Sequence, residues 1–163
     1  MDEKASIEGV LGGFPETSPI DCTSSRLLLI ETLPYLSTIP TPHVSRSPPP
    51  KNPRAWTRAL DVGAGIGRVT QGTLLPLFDS VDLVEPSPKL IEKARELAPS
   101  WKGAAAKRLR FHELGAQHCD PRQMAAKSED GPFDAIWIQW CVGHLTDNEF
   151  APLIAAFLEV PPN

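Results

Sequence analysis

The sequence RALDVGAGIGR, residues 58–68, decides the fold of this chain. The segment at 58–62 predicts a β-strand, and the three alternating glycines that follow predict a tight turn. The pattern after the last glycine predicts a helix over Arg68–Phe78. A strand that passes through a glycine-rich turn directly into a helix is typical of folds in which strands and helices alternate.

The spacing of the glycines limits which class of cofactor the turn can bind. Dinucleotide-binding folds carry GxGxxG, whereas this chain has GxGxG, with Asp61 two positions before Gly63 and Arg68 in the place of a third dinucleotide glycine. This arrangement resembles the first motif of class I methyltransferases, whose loop lies next to the methionine part of the cofactor. The alternative is that the glycines only make a tight connection between strand and helix.

The next predicted strand, Val81–Glu85, ends in a carboxylate. Folds that bind adenosine place an acid at this strand tip, because its two oxygens can accept hydrogen bonds from both ribose hydroxyls. We therefore expect Glu85 to bind ribose. The alternative is a solvated glutamate at a strand end, and Asp82 is the weaker candidate because strand alternation and the strand tip favour Glu85.

Start and stop signals predict three more helices. Ser24-Ser25 predicts the start of a short helix over Arg26–Leu33, which ends before a proline. Ser87-Pro88 predicts the start of a second helix. Thr146 and Glu149 form a capping box that opens a last helix, which Pro152 makes irregular. The apolar face predicted for the second helix consists of Leu90, Ile91, Ala94 and Leu97.

The third and fourth predicted strands are Leu109–Glu113 and Phe133–Trp140. Strands separated by helices predict parallel pairing, because a tight turn cannot reach a parallel neighbour. The fold class is therefore α/β. We expect an N-terminal helical segment over 1–38 on the substrate side, a Pro-rich loop over 39–53 and a partial cofactor-binding domain over 54–163.

Composition limits the partners and the location. The chain has 163 residues, enough for one globular core, and a net charge of −4, so we expect no nucleic-acid partner. Its three cysteines fit no metal or redox spacing, which favours buried, reduced thiols and no metal site. The start lacks an apolar leader and no apolar run reaches the roughly 20 residues of a membrane span. We expect a cytosolic or nuclear protein with no membrane partner.

Two further segments are predicted to end at the same edge of the sheet, because ligands in open α/β sheets bind at the carboxyl ends of the strands. Ala116 and Gln117 follow the third strand and are candidates to hold the adenine edge. Gln139 and Trp140 end the fourth strand. Trp137 and Trp140 need not share a face, so one of them can belong to the core while the other lines the site.

The fourth strand and its continuation carry a family resemblance. IWIQW at 136–140 followed by GHLTD at 143–147 resembles the protein alpha-N-terminal methyltransferases, which methylate the terminal amine of proteins that begin X-Pro-Lys. LGGF at 11–14, SSR at 24–26, LDVGAGIGR at 60–68 and LLPLF at 74–78 match the same family. The similarity covers residues 7–33 and 54–150.

The resemblance implies a Rossmann-like fold with S-adenosylmethionine as cofactor and protein N-terminal peptides as substrates. It places Leu11 and Trp140 beside the peptide. His144, also beside the peptide, is the candidate general base or orienting group for the amine, against the alternative that it only hydrogen-bonds a loop. The cofactor contacts that it implies are Gly63, Arg68, Glu85, Pro86, Ser87, Ala116, Gln117 and Gln139.

The sequence also departs from the family pattern. The Pro-rich insertion at 39–53 enlarges a loop, and no aromatic pair precedes Leu11. The family continues beyond the position of Asn163 into a fifth strand with an Asn and an Asp that hold the substrate amine. Without it, we expect strand order 3-2-1-4, an open edge at the fourth strand and possible self-association. The alternatives are an inactive fragment that binds cofactor or dimerises, a small-molecule methyltransferase of the same fold and, more distantly, a nicotinamide enzyme.

Overall fold

Four parallel strands form the sheet of the computed structural model, which describes residues 6–12, 14–37 and 56–158. The strand order is β3-β2-β1-β4, which confirms the predicted order and the α/β class. The carboxyl ends of all four strands therefore lie at one edge. The strands are β1 (Arg58–Val62), β2 (Ser80–Glu85), β3 (Arg108–Glu113) and β4 (Ala135–Ile138).

Five α-helices occur in the described residues, and short helical turns separate several of them. The segment after the glycine turn, predicted as a helix, begins with helical residues and widens into a π-helix over Thr70–Leu74. The α-helices are α1 (Ile7–Val10), α2 (Ser18–Thr32), α3 (Pro88–Leu97), α4 (Pro121–Ala126) and α5 (Asp147–Leu158).

The predicted start of the first long helix is wrong. Helix α2 begins at Ser18 instead of Arg26, because Pro19 in its first turn suits a helix start and the two serines fit inside the helix. One of them, Ser25, is buried against the end of β4, where its hydroxyl donates to the side-chain oxygen of Gln139. The predicted end before Pro34 is confirmed.

The fourth strand is shorter than predicted. It ends at Ile138 because Trp140 has φ +64°, a left-handed conformation that no β-strand accommodates. The helix start at Thr146 is confirmed, since Glu149 accepts from the backbone N–H of that residue at 2.9 Å. Helix α5 nevertheless runs through Pro152. Helix α4, whose first turn is capped by the carboxylate of Asp120, was not predicted.

Apolar side chains cover both faces of the sheet. On one face, Ala59, Val81 and Leu83 pack with α3 and the segment after the glycine turn. On the other face, Leu60, Val62 and Val84 form a smaller cluster. Because successive strand residues point to opposite faces, the buried runs of β1 and β2 supply side chains to both layers.

The N-terminal helix α2 packs against the π-helical segment, so it lies beside the edge where the glycine turn emerges. The predicted Pro-rich loop at 39–53 lies outside the described residues, and the domain division stays a prediction. No helix in the described ranges is long and apolar enough to cross a membrane.

Candidate cofactor and substrate site

The glycine turn folds back over the end of β2. The backbone N–H groups of Gly63 and Ala64 both donate to the carbonyl oxygen of Val84, at 2.8 and 3.0 Å. Gly63 has φ +74°, and a Cβ there would lie 2.5 Å from the Cβ and Sγ of Cys141. Only glycine satisfies both the left-handed backbone and this close approach.

The carboxylate of Glu85 points at the glycine turn. Its Oε2 accepts from the backbone N–H of Gly65 at 2.9 Å, and its Oε1 accepts from the N–H of Ser87 at 3.0 Å. The residue is buried, with 7% of its surface exposed. A carboxylate oxygen can accept more than one hydrogen bond, so these contacts orient the group and leave it able to bind hydroxyls.

Asp61 lies buried beneath the turn, where the hydroxyl of Thr70 donates to its Oδ2 at 2.5 Å. Burial raises the pKa of Asp61 to about 6, and the hydrogen bond from Thr70 and the charge of Arg68 offset only part of that rise. Asp61 is therefore a structural part of the turn, and its carboxyl group titrates close to neutral pH.

The guanidinium of Arg68 is buried at the start of the helical segment and pairs with α2. Its Nη1 lies 2.7 Å from Oδ2 of Asp21 and 3.5 Å from Sγ of Cys22. The side chain of Arg68 is only 4% exposed. A buried cation needs such a partner, because an unpaired charge away from water is costly.

Asp21 also binds the residues that end β4. Gln139 donates from Nε2 to Oδ1 of Asp21 at 2.6 Å, and Trp140 donates from Nε1 to Oδ2 at 3.3 Å. The other side of the Gln139 amide accepts from Trp137 Nε1 at 2.6 Å and from the hydroxyl of Ser25 at 3.3 Å. We call the side chains of Asp21, Arg68, Gln139 and Trp140 the Asp21 cluster.

Cys141 fills the space between the glycine turn and β4. Its Sγ donates to the carbonyl oxygen of Val62 at 3.2 Å. Burial, followed by the charges of Asp61 and Glu85, raises the pKa of the Cys141 thiol to about 11. The thiol is thus neutral at physiological pH and acts as packing, not as a nucleophile.

The remaining predicted residues surround the same edge or lie farther along the chain. Pro86 is exposed next to Ser87, which occupies the N-cap position of α3. Ala116 is half-buried at the start of a helical turn, and the Gln117 side chain folds back over Gly115.

Six of the predicted site residues take no part in the hydrogen bonds of Asp21 and Glu85, namely Leu11, Gly63, Pro86, Ala116, Gln117 and His144. Within the described ranges, the side chains of Gln117 and His144 make no hydrogen bond, and both are exposed. Leu11 is buried just after α1. The hydrogen bonds instead join Arg68, Gln139 and Trp140 through Asp21, and they join Gly65 and Ser87 through Glu85.

Sequence reasoning missed Asp21, Ser25 and the packing role of Cys141. The predicted helix began after Asp21, so that acid was not expected to face the sheet. The Ser-Pro pair at 18–19 was the available signal for an earlier helix start, which would have placed Asp21 and Ser25 one turn apart on one face.

The site therefore combines an acid at the tip of β2, a bare backbone turn and a buried guanidinium. Such a set can bind a ligand with vicinal hydroxyls at one end and a carboxylate at the other. Among residues 6–12, 14–37 and 56–158, no three His, Cys, Asp or Glu side chains are grouped to hold a metal ion.

Solved structures show the same architecture. A SAM-dependent methyltransferase from Leishmania major superposes with a TM-score of 0.69 at 26% identity, over 99% of this chain and 53% of that one. The SAM-bound amino pentose methyltransferase CalS10 from Micromonospora echinaspora matches at a TM-score of 0.57 and 19% identity, over 88% of this chain and 46% of that one, which shows the fold alone.

Curated relatives are similar along nearly the whole chain. The N-terminal Xaa-Pro-Lys N-methyltransferase 1 of Mus musculus is 37% identical over 91% of this chain and 56% of its own length. The Alpha N-terminal protein methyltransferase 1 of Arabidopsis thaliana is 33% identical over 90% of this chain and 47% of its own. The chain thus spans about half the length of these relatives. The model of the AdoMet dependent proline di-methyltransferase family matches residues 2–159, and the chain belongs to that family.

Proposed function

We propose that this chain carries the cofactor-binding part of a methyltransferase that transfers a methyl group from S-adenosylmethionine to the α-amine of proteins beginning X-Pro-Lys. Family membership and the names of the relatives support the reaction class. The observation that carries the proposal is the buried Glu85 carboxylate, which hydrogen-bonds the backbone of the glycine turn at Gly65. An acid next to a glycine-rich turn is the arrangement by which folds of this kind bind the ribose of adenosine.

The residues present fit the cofactor. We assign the ribose hydroxyls to Glu85 and the methionine carboxylate to Arg68, because a guanidinium can donate two parallel hydrogen bonds to a carboxylate. The adenine edge is assigned to Ala116 and Gln117. The backbone around Gly63, Pro86 and Ser87 and the amide of Gln139 complete the proposed contacts. When bound, the cofactor supplies a methyl group already activated by the sulfonium.

The protein's own task is to present a neutral amine to that methyl group in line. An α-amine has a pKa near 8, so at neutral pH most of it is protonated. We assign the removal of this proton to His144, which is exposed on the turn that follows β4. The exposed ring of Trp140 and the side chain of Leu11 are assigned to the peptide. A cytosolic or nuclear location and the lack of a nucleic-acid partner remain predictions from composition.

The test is a calorimetric titration of the 163-residue chain with S-adenosylmethionine, followed by a methyl-transfer assay on Ser-Pro-Lys and Pro-Pro-Lys peptides. Binding of S-adenosylmethionine is expected, and transfer to both peptides shows that the chain also performs the reaction by itself. Binding without transfer identifies a cofactor-binding fragment. Transfer to small amines but to neither peptide identifies a small-molecule methyltransferase, and no binding of S-adenosylmethionine rejects the proposal.

The variant Glu85→Gln tests the observation that carries the proposal. The change removes a charged acceptor and places an amide NH2 group against the backbone N–H of either Gly65 or Ser87, so cofactor affinity should fall by about 10- to 100-fold. The matched control is Glu96→Gln on α3, where the exposed carboxylate pairs with Lys93. Its cofactor affinity should equal that of the unchanged chain. Equal affinity of Glu85→Gln and the control would remove Glu85 from the cofactor site.

A further inference from the structure

We propose that Asp21 is a positioning residue that holds the cofactor side and the peptide side of the site in one arrangement. The inference rests on the proposed function, because it concerns the same edge of the sheet. Asp21 lies on α2, within the segment 1–38 that the sequence assigned to the substrate side, but it was not among the predicted site residues. Its carboxylate nevertheless binds Arg68 on the cofactor side and Trp140 on the peptide side.

The hydrogen bonds of Asp21 show that it orients protein groups. Its Oδ2 accepts from Arg68 Nη1 at 2.7 Å and from Trp140 Nε1 at 3.3 Å, while its Oδ1 accepts from Gln139 Nε2 at 2.6 Å. Three donors from two separate chain segments converge on one carboxylate. Charged hydrogen bonds of this kind are the strong ones, and two oxygens shared among three donors fix the direction of each donor.

The orientation of Gln139 depends on this carboxylate. The amide oxygen of Gln139 accepts from both Trp137 and Ser25, so the amide nitrogen must face Asp21. An acceptor on that side is the only arrangement that satisfies both ends of the amide. Loss of the Asp21 acceptor would therefore leave the amide nitrogen of Gln139 without a partner at the position proposed to contact the cofactor.

Trp140 needs the same support for a different reason. Its φ of +64° is unfavourable for a bulky side chain, and the residue is 64% exposed, so little packing holds it. The hydrogen bond from its Nε1 to Asp21 fixes the direction of the ring. A strained residue held by one polar contact at a proposed peptide site is a sensitive point for substrate binding.

Helix α2 provides a rigid base for Asp21. Ser25 and Cys22 lie one turn or less away and are both buried, and Cys22 packs against the π-helical segment at Gly72. Asp21 therefore lies on a fixed helix and connects Arg68, proposed to bind the cofactor, with Trp140, proposed to bind the peptide. Cofactor binding and peptide binding should consequently be thermodynamically linked through this carboxylate.

The experiment measures both affinities and their linkage in the 163-residue chain. S-adenosylhomocysteine affinity is measured by calorimetry, and the affinity of a Ser-Pro-Lys peptide is measured with and without S-adenosylhomocysteine. In Asp21→Asn, we expect cofactor affinity to fall by about tenfold or more and peptide affinity to fall with it. The enhancement of peptide binding by S-adenosylhomocysteine, expected to be about fivefold or more in the unchanged chain, should disappear.

Three further variants separate positioning from folding. Glu31→Gln removes an exposed charge from the same helix and should behave as the unchanged chain. Trp140→Phe removes only one donor and should weaken peptide binding while cofactor affinity stays the same. Asp21→Glu keeps the charge beside Arg68, so it should fold even where the Asn variant does not. Because its longer side chain cannot meet all three donors, it should still lower both affinities and the enhancement.

The outcomes separate this inference from the proposed function. Suppose that the unchanged chain binds cofactor and peptide, and that Asp21→Asn or Asp21→Glu loses only one of the two affinities or neither. This result would overturn the inference and leave the proposed function intact. An unchanged chain that binds no cofactor would overturn both. Joint loss of both affinities and of the enhancement, with Glu31→Gln unaffected, supports the positioning role.

Discussion

At the scale of single residues, the buried carboxylate of Asp61 lowers the stability of the folded protein at neutral pH. Its carboxylate is fully enclosed under the glycine turn, and burial raises its pKa from 3.8 to about 6. The charge that it carries at neutral pH is therefore held at a cost to stability, since its neutral form is preferred in the folded protein. Arg68 and Thr70 reduce this cost without removing it.

The substitution Asp61→Asn should change how stability depends on pH. A pKa raised on folding gives stability that is fully present below pH 3.8 and is lost as pH rises through about 6. A shift of this size corresponds to about 3 kcal/mol. The free energy of unfolding of the Asn variant, relative to the unchanged chain, should therefore rise between pH 4 and 7, as measured by urea unfolding at each pH.

The control for this profile is Asp147→Asn, which alters an exposed aspartate in the first turn of α5. Its curve should run parallel to that of the unchanged chain across the same pH range. If Asp61→Asn also gave a parallel curve, Asp61 would not titrate near neutral pH in the folded protein, and the raised pKa would be rejected.

Individual site residues differ in how far the sequence could predict them. Glu85 was located because a strand tip and a glycine turn fix where its side chain must lie. The contacts of Asp21 could not be predicted, because they depend on how a separate helix docks on the sheet. Asp82, the weaker candidate, pairs with Arg58 on the neighbouring strand, and that partner carries no sequence signal of its own.

At the scale of elements, the packing of α2 on the π-helical segment decides where the Asp21 cluster lies. Gly72 sits where the two segments are closest, and a Cβ at that position would lie 2.7 Å from Cys22 Sγ and 3.0 Å from Cys22 Cβ. The hydroxyl of Thr73 also donates to the carbonyl oxygen of Cys22, at 3.3 Å. A larger residue at position 72 must therefore displace the helix or the thiol.

The variant Gly72→Ala should lower the free energy of unfolding by about 1–3 kcal/mol, because the added methyl overlaps Cys22. In a Cys22→Ala background the same change should cost at least about 1 kcal/mol less, because the sulfur atom is gone. Urea unfolding of the four proteins gives this coupling. Gly143→Ala, where a Cβ would meet no atom within 4 Å, serves as the control and should be nearly neutral. Additive effects at positions 22 and 72 would show that the two segments do not meet there.

The elements show which sequence signals were sufficient. Strand β1 and the start of α3 agree with prediction, because buried runs and a Ser-Pro start are local signals. The end of β4 was misplaced since the left-handed conformation of Trp140 follows from its tertiary contacts and not from its residue type. Helix α4 was missed because six residues are too few for a helical period to be recognised.

At the scale of the whole molecule, a buried ion pair crosses the sheet on the face away from the α3 side. Arg58 donates to Asp82 from Nε and Nη2, at 2.9 and 3.0 Å, and its guanidinium stacks over the ring of Phe133. His112 on β3 lies 2.8 Å from the same carboxylate. This arrangement joins three neighbouring strands through charged groups, in addition to their backbone hydrogen bonds.

The variant Asp82→Asn should therefore destabilise the whole sheet, by about 3–5 kcal/mol at neutral pH, because it leaves the buried Arg58 without a counter-charge. Burial alone would raise the pKa of Asp82, but hydrogen bonds and charge from His112 and Arg58 hold it below its ordinary 3.8. Its contribution is thus present above that pH and is lost as pH falls through the lower folded value, so the two proteins should converge in acid. Urea unfolding from pH 2 to 7 measures this.

The control is Asp120→Asn, which keeps an N-cap acceptor on α4 and should lower the free energy of unfolding only slightly. A similarly small loss for Asp82→Asn at pH 7 would mean that the pair does not hold the strands together.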